Sequence, residues 1–317
     1  MQIKDINILF FGTSEFAVPT LQKLIDNNYS IAAVVTQPDK PVGRKQIITP
    51  PPVKLLAEKY NIPVLQPETL KSFSSQFPNL KSKISNLKLI AVASYGKIIP
   101  NEILKMSQFG ALNVHPSLLP KYRGPAPIQA AILNGDKETA VTIMLMDKEM
   151  DHGPILTQKK FFIDSTPTFL WLHDKLSSLG ADLLIKTIPE WISGEITPIP
   201  QDDSLAAYTK IIKKDDGKIL WNKSAIEIER QIKAFTPWPG CWSVFQGKRI
   251  KIIDATASDK QISVKNPGQI FKTDKNKMIA VCDQGCLEIL TLQLEGKKPI
   301  SGEEFLRGHN AEKEILG

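Results

Sequence analysis

The sequence predicts an α/β fold in which a Rossmann-like, mainly parallel sheet is followed by a C-terminal OB-like β-barrel. Three observations carry the prediction. Apolar runs without alternation, as expected of strands buried on both faces, recur between segments of helical spacing from Ile6 to Trp191. A polar, proline-bearing stretch from Ser193 to Ser204 then breaks the pattern. Beyond it, short β-like runs separated by turn residues fill the rest of the chain. The expected division is a first domain over residues 1–192, a linker over 193–208 and a second domain over 209–317.

Each element follows from local pattern. Ile6–Phe11 reads as the first strand, ended by Gly12-Thr13-Ser14. Phe16–Asn27 places Phe16, Ala17, Leu21, Leu24 and Ile25 on one helical face, with Ser14 positioned to cap it. Ile31–Val35 is a second strand, Val53–Tyr60 a short helix and Leu89–Ala93 a buried strand. Pro100–Met106 reads as helix, Ala111–Val114 as strand and Pro127–Leu133 as helix. Val141–Met146 and Ile155–Phe162 follow as strands, then Phe169–Ile188 as a long amphipathic helix. In the second domain a helix over Ser224–Phe235 precedes strands at 242–245, 249–253, 269–271, 278–281 and 287–294.

Composition excludes several classes. The apolar runs fall far short of the roughly 20 residues that cross a bilayer, and the N-terminus lacks the pattern of a secretory signal. Cys241, Cys282 and Cys286 lack the paired spacing of a zinc site and are too few for a disulfide framework; they read as buried thiols in a reducing cytoplasm. The net charge of +7 is unevenly placed. Residues 1–204 hold 21 Lys+Arg against 19 Asp+Glu, and residues 205–317 hold 19 against 14. A basic C-terminal third is compatible with phosphate-backbone contact and equally with a plain soluble domain.

Two clusters could carry chemistry. Asn113-Val114-His115-Pro116-Ser117-Leu118-Leu119-Pro120 follows a predicted strand, at a carboxyl end of the sheet where open α/β sheets bind ligands. Asn113 and His115, two apart, point to the same side and can offer two donors to a developing oxyanion. Met146 to Pro154 lies between two predicted strands, a loop in which Gly153 permits a tight turn that can push the Asp151 carboxylate into a cavity. By spacing alone, a histidine satisfied by a backbone carbonyl and an aspartate capping its own turn are the commoner outcomes. Gly12-Thr13-Ser14-Glu15-Phe16 has one glycine where a dinucleotide site would have GxGxxG, which argues against that cofactor. Thr36 to Gln46 is a long polar loop with Lys40, Arg44 and Lys45 beside Gly43; it suits either a nucleic-acid groove or a solvated, mobile connection.

Taken together, FFGTSEFAVPTL, VVTQPDKPVGRKQ, ASYGKIIP, ALNVHPSLLPKYRGPAPIQAAILNGDKETAVTIMLMDKEMDHGPIL and AFTPWPGCW resemble the methionyl-tRNA formyltransferases, in the family's order along the whole chain. NVHPSLLP and MDHGPIL mark the wider folate formyltransferase group; the TQPDKPVGR loop and the PWPG segment narrow the match. The resemblance implies the formyltransferase fold and transfer of formyl from 10-formyltetrahydrofolate to methionyl initiator tRNA. It implies Asn113, His115 and Asp151 as a catalytic trio. Ser117, Leu118, Leu119 and Pro120 would line the folate site, with Tyr95, Ile98 and Ile99 at its border. Lys40, Arg44 and Lys45 would meet the tRNA acceptor stem, aided by the C-terminal domain. A cytoplasmic monomer is expected, with no metal and no membrane attachment. His152 stands where the family commonly has a small residue or Thr. A formyltransferase for a nucleotide sugar or purine intermediate would share the trio, and a non-catalytic folate- or RNA-binding protein would not need it.

Overall fold

The computed structural model describes residues 3–43, 45–71, 73, 86–163, 167–259 and 266–317. The chain forms two compact units. The first comprises Met1–Pro127, Glu138–Phe162 and His173–Lys210; the second comprises Ile128–Lys137, Ile163–Leu172 and Ile211–Gly317.

The first unit is built on β1 (Asn7–Gly12), β2 (Ser30–Val35), β5 (Val64–Leu65), β6 (Leu89–Ala93), β7 (Ala111–His115), β8 (Glu138–Leu145) and β9 (Ile155–Phe162). Between β2 and β5 lies a separate hairpin of β3 (Lys40–Val42) and β4 (Ile47–Thr49). The large sheet runs β5-β2-β1-β6-β7-β8-β9, parallel as far as β7 and antiparallel at the last two pairings. The central strands are buried along nearly their whole length because Leu9, Phe10, Phe11, Val34, Val35, Ile90 and Leu112 have no polar atoms to keep wet. Cutting one of these back to alanine would cost about 2–5 kcal/mol. The helix Phe169–Ser193 lies close against the sheet at Gly180, where an added Cβ would sit 2.5 Å from Val114 Cγ1.

The first helix differs from expectation at its start. A 3-10 turn over Glu15–Ala17 precedes the α-helix Val18–Asp26, and the Ser14 hydroxyl donates to Ser94 Oγ at 2.7 Å instead of capping. A serine with a closer hydroxyl partner on the neighbouring strand's loop leaves the helix N-terminus to the fixed φ of Pro19.

The stretch read as a linker is tied to the first unit. Ile199 exchanges backbone hydrogen bonds with Ile155 at 2.8 and 2.9 Å, and Arg123 does so with Ala207 and Thr209 at 2.8 Å each.

The second unit contains the helix Ala225–Phe235, which begins in a capping box of Ser224 and Glu227. Its antiparallel sheet comprises β10 (Cys241–Phe245), β11 (Lys248–Ser258), β12 (Ile270–Lys272), β13 (Met278–Val281) and β14 (Cys286–Leu294), in the order β10-β11-β14-β13-β12, with β15 (Ile300–Ser301) on β14. Its two edges are joined by the last residues: Ile270 N donates to Glu314 O at 2.8 Å, and Val244 and Gly317 exchange bonds of 2.8 and 3.0 Å. Those bonds link the two edge strands and give the antiparallel sheet a barrel-like form, as the sequence led one to expect. The three cysteines are buried thiols, and burial pushes Cys241 and Cys282 up to about 12.

Candidate active site

The site forms on β7 because Asn113 and His115 alternate with Leu112 and Val114 and so share one face of the strand. Both polar residues are buried. Thr142, opposite His115 on β8, fixes the chain as it leaves the strand. Its hydroxyl donates to Ser117 O at 2.7 Å and accepts from Leu119 N at 3.4 Å. Gln158 adds bonds of 2.9 Å to Leu119 O and Thr142 Oγ1. The Leu119–Pro120 peptide is cis, and Tyr122 adopts φ +63°. That turn aims the Tyr122 carbonyl at His115 Nε2, 3.0 Å away. A carbonyl has no hydrogen to give, so Nε2 carries the proton and Nδ1 is the nitrogen left to face the site.

Asp151 arrives from an unexpected direction. β8 runs against β7, so the loop after it starts beside Ala111, whose carbonyl accepts from Met146 N at 2.8 Å. This is the opposite end of β7 from His115, and the loop must fold back along the strand. It does so through a tight turn with Asp151 at φ +51°, a left-handed conformation that aspartate tolerates better than most residues. Gly153 passes so near Leu145 that a Cβ there would lie 1.9 Å from the Leu145 carbonyl oxygen.

Three side chains from two separated stretches thereby meet. Asn113 Nδ2 donates to Asp151 Oδ1 at 3.3 Å, and Asp151 Oδ2 lies 3.7 Å from His115 Nδ1. Asp151 Oδ2 also accepts from Gly124 N at 2.8 Å. His115 meets a backbone carbonyl, as spacing suggests, whereas the Asp151 carboxylate reaches Asn113 and Gly124 instead of capping its own turn. The carbonyl contact does not prevent the convergence. His152 turns elsewhere: Nδ1 lies 2.7 Å from Asp147 Oδ2, and Nε2 lies 3.5 Å from Asp203 Oδ2. The hydrogen bond that His152 donates to Asp147 outweighs desolvation and holds the imidazole above its usual value.

The other expected site residues are distributed as follows. Ser117 is buried, with its hydroxyl spent on Lys121 O at 2.6 Å; Leu119 is buried, while Leu118 and Pro120 are half-buried. Tyr95 and Ile99 belong to the core beneath the sheet ends, with the Tyr95 ring edge-on to Phe11 at 5.2 Å. Burial raises the Tyr95 phenol to about 12. Ile98, between them in sequence, is 86% exposed. Lys40 and Lys45 are exposed on the β3–β4 hairpin with Val42, Ile47 and Ile48. Arg44 lies outside the described residues. The hairpin's base is anchored through Asp39, which accepts from Gln66 at 2.6 Å and from Lys54 at 2.8 Å, and these bonds lower its pKa. Among the described residues no group of three metal-ligating side chains occurs, and no helix is long and apolar enough to cross a membrane.

Residues that the motifs did not single out also shape the site. Tyr122 and Gly124 act through main-chain groups, which leave no mark on side-chain patterning. Arg123 is fully buried, and Gln201 lies in a stretch whose prolines and aspartates read as a plain connector.

The formyl transferase family profile matches residues 4–188, and that of the formyl transferase C-terminal domain matches residues 211–310. Methionyl-tRNA formyltransferase from Halalkalibacterium halodurans is 44% identical over 313 residues, 98% of this chain and 97% of its own. The protein of the same name from Caldanaerobacter subterraneus is 43% identical over 305 residues, 96% of this chain and 97% of its own. Among solved structures, an N-formyltransferase from Helicobacter canadensis in complex with folinic acid and dTDP-3-aminofucose superposes with a TM-score of 0.65 at 23% identity, covering 90% of this chain and 98% of its own. At that identity the likeness speaks for the fold.

Proposed function

The chain belongs to the methionyl-tRNA formyltransferase family, and from that premise we propose that it moves the formyl group of 10-formyltetrahydrofolate onto the amino group of methionine carried by initiator tRNA. It does so in the cytoplasm, as a monomer, with Asn113, His115 and Asp151 as the catalytic trio. The observation that carries this reading is the meeting of Asp151 with Asn113 at 3.3 Å and with His115 at 3.7 Å, although the loop bearing Asp151 leaves the sheet at the far end of their strand.

The residues present fit a folate-type donor. Exposed Ile98, in the chain after β6, and half-buried Leu118, in the chain after β7, offer apolar surface for a flat heterocycle. When bound, the donor supplies a formyl carbon open to attack by an amine. Asn113 then donates the amide hydrogen that Asp151 does not hold to the oxygen on which negative charge develops. His115 can add a second hydrogen bond from Nδ1 once protonated, because Nε2–H is held by the Tyr122 carbonyl. Asp151 Oδ2 faces that nitrogen and balances an imidazolium charge. The same carboxylate takes the proton shed by the attacking amine, directly or through water, and can return it to the donor nitrogen as the bond from that nitrogen to the formyl carbon breaks. Two such donors lower the barrier by roughly 3–6 kcal/mol.

Lys40, Arg44 and Lys45 serve as phosphate contacts for the acceptor stem, and the basic C-terminal unit adds to them. The deciding assay is formyl transfer from 10-formyltetrahydrofolate to methionyl initiator tRNA, with the elongator tRNA as control. Formylation of an amino-sugar nucleotide in place of both tRNAs would refute the assignment.

A further inference from the structure

Gln201 stands 50 residues from Asp151 in sequence, yet its amide nitrogen donates to Asp151 O at 2.9 Å and to Gly153 O at 2.7 Å. These carbonyls flank His152, so one side chain clamps both sides of the turn in which Asp151 is left-handed. The amide is itself oriented. Arg123 Nε lies 3.0 Å from Gln201 Oε1, and a guanidinium has only donors, so it fixes which end of the amide faces the turn.

Arg123 is held in place by Tyr208 OH at 3.1 Å and Asp203 Oδ1 at 2.8 Å. Burial pulls its pKa down, but those two hydrogen bonds outweigh burial and keep it above its ordinary value. The next residue completes the support, since Gly124 N holds the Asp151 carboxylate. The segment bearing Gln201 does not depend on this clamp for its docking, because Ile199, Ala207 and Thr209 bind the unit through their backbones.

The geometry points to Gln201 as a positioning residue: its amide, aimed by Arg123, fixes the 151–153 turn and thereby the direction of the Asp151 carboxylate toward Asn113 and His115. It touches neither substrate nor reacting atoms, and the inference rests on Asp151 acting as described above.

Gln201→Leu keeps the volume and removes every hydrogen bond of the amide. Since a misplacement of about 1 Å costs about 10²-fold, kcat for formyl transfer should fall by about 10- to 100-fold. KM for the formyl donor and for methionyl-tRNA should each stay within about threefold, as expected when alignment rather than binding is lost. Rates are normalised to folded protein, read from the amplitude of the cooperative thermal transition. Added to Asp151→Asn, the same change should cost less than about twofold further, because both act through one carboxylate.

A Gln201→Leu enzyme with kcat within twofold of wild type, alongside an inactive Asp151→Asn, would overturn the positioning role alone. An active Asp151→Asn enzyme would overturn both. Losses that multiply in the double variant, or that disappear on normalisation, would make Gln201 a structural staple and overturn the inference. If Gln201→Leu does not fold, Gln201→Asn, whose shorter amide cannot span both carbonyls, is judged by the same criteria.

Discussion

Replacing Gly153 by alanine is a severe test of the loop geometry, since the site would lose no chemical group. The new methyl would lie 1.9 Å from Leu145 O, 3.1 Å from Leu145 C and 3.3 Å from Asp147 N. All three atoms are backbone, so no side chain can swing aside. Carbon and oxygen sit comfortably at about 3.3 Å, so the turn must retreat by about 1.4 Å. Hydrogen bonds of 2.7 to 2.9 Å from Gln201 and Gly124 to this turn cannot stretch that far and remain bonds. A shift of that size in a positioned carboxylate should lower the single-turnover rate by about 10²-fold. The overpacking should also cost about 1–3 kcal/mol of stability, seen as a fall of several degrees in Tm. The measurement is rapid-quench formyl transfer at saturating methionyl-tRNA and formyl donor, with a thermal melt of the same sample. A rate within threefold of wild type would show that the Asp151 turn does not set catalytic alignment, and the reasoning would fail.

Three further outcomes are expected. His115→Ala should lower kcat by about 10²-fold while folate binding, followed by fluorescence quenching, stays near normal; near-normal turnover would remove the imidazole from the mechanism. The His152–Asp147 pairing raises the imidazole's pKa, so its stability is fully present below about pH 6.5 and is lost as the pH climbs through the raised value. The Tm gap between wild type and His152→Gln should therefore be wider at pH 6 than at pH 9, and a gap that grows with pH would contradict the sign. Arg44→Ala, and separately Lys45→Ala, should each reduce the slope of log KM for tRNA against log salt by about one for every phosphate no longer neutralised, with KM for the formyl donor unchanged. An unaltered slope would place the acceptor stem elsewhere.

Strands buried on both faces were legible because they obey a simple constraint: a residue such as Leu9 or Ile90 in a central strand meets apolar neighbours on either side. Asn113 and His115 were legible as a pair because strand periodicity alone puts them on one face. The route taken by Asp151 was not, because nothing local in the sequence announces that β8 reverses direction beside β7. The β3–β4 hairpin was hidden by its polar and proline-rich composition, although Gly43 at φ +72° supplies the turn it needs. Gln201 and Arg123 escaped notice because a clamp through main-chain carbonyls depends on distance in space and leaves no spacing to count. Tyr95 and Ile99 sit in the core while Ile98 faces solvent, a division that a five-residue irregular run does not reveal.

The loop between β8 and β9 combines fixed and open positions at short range. Asp151 and Gly153 are pinned, whereas Lys148, Glu149 and Met150 just before them are exposed. A fluorophore attached through cysteine at position 148 would thus ride within three residues of the reacting carboxylate without displacing any of its partners. Such a labelled enzyme would report binding beside Asp151 in real time, turning the bend in the chain into an optical gauge.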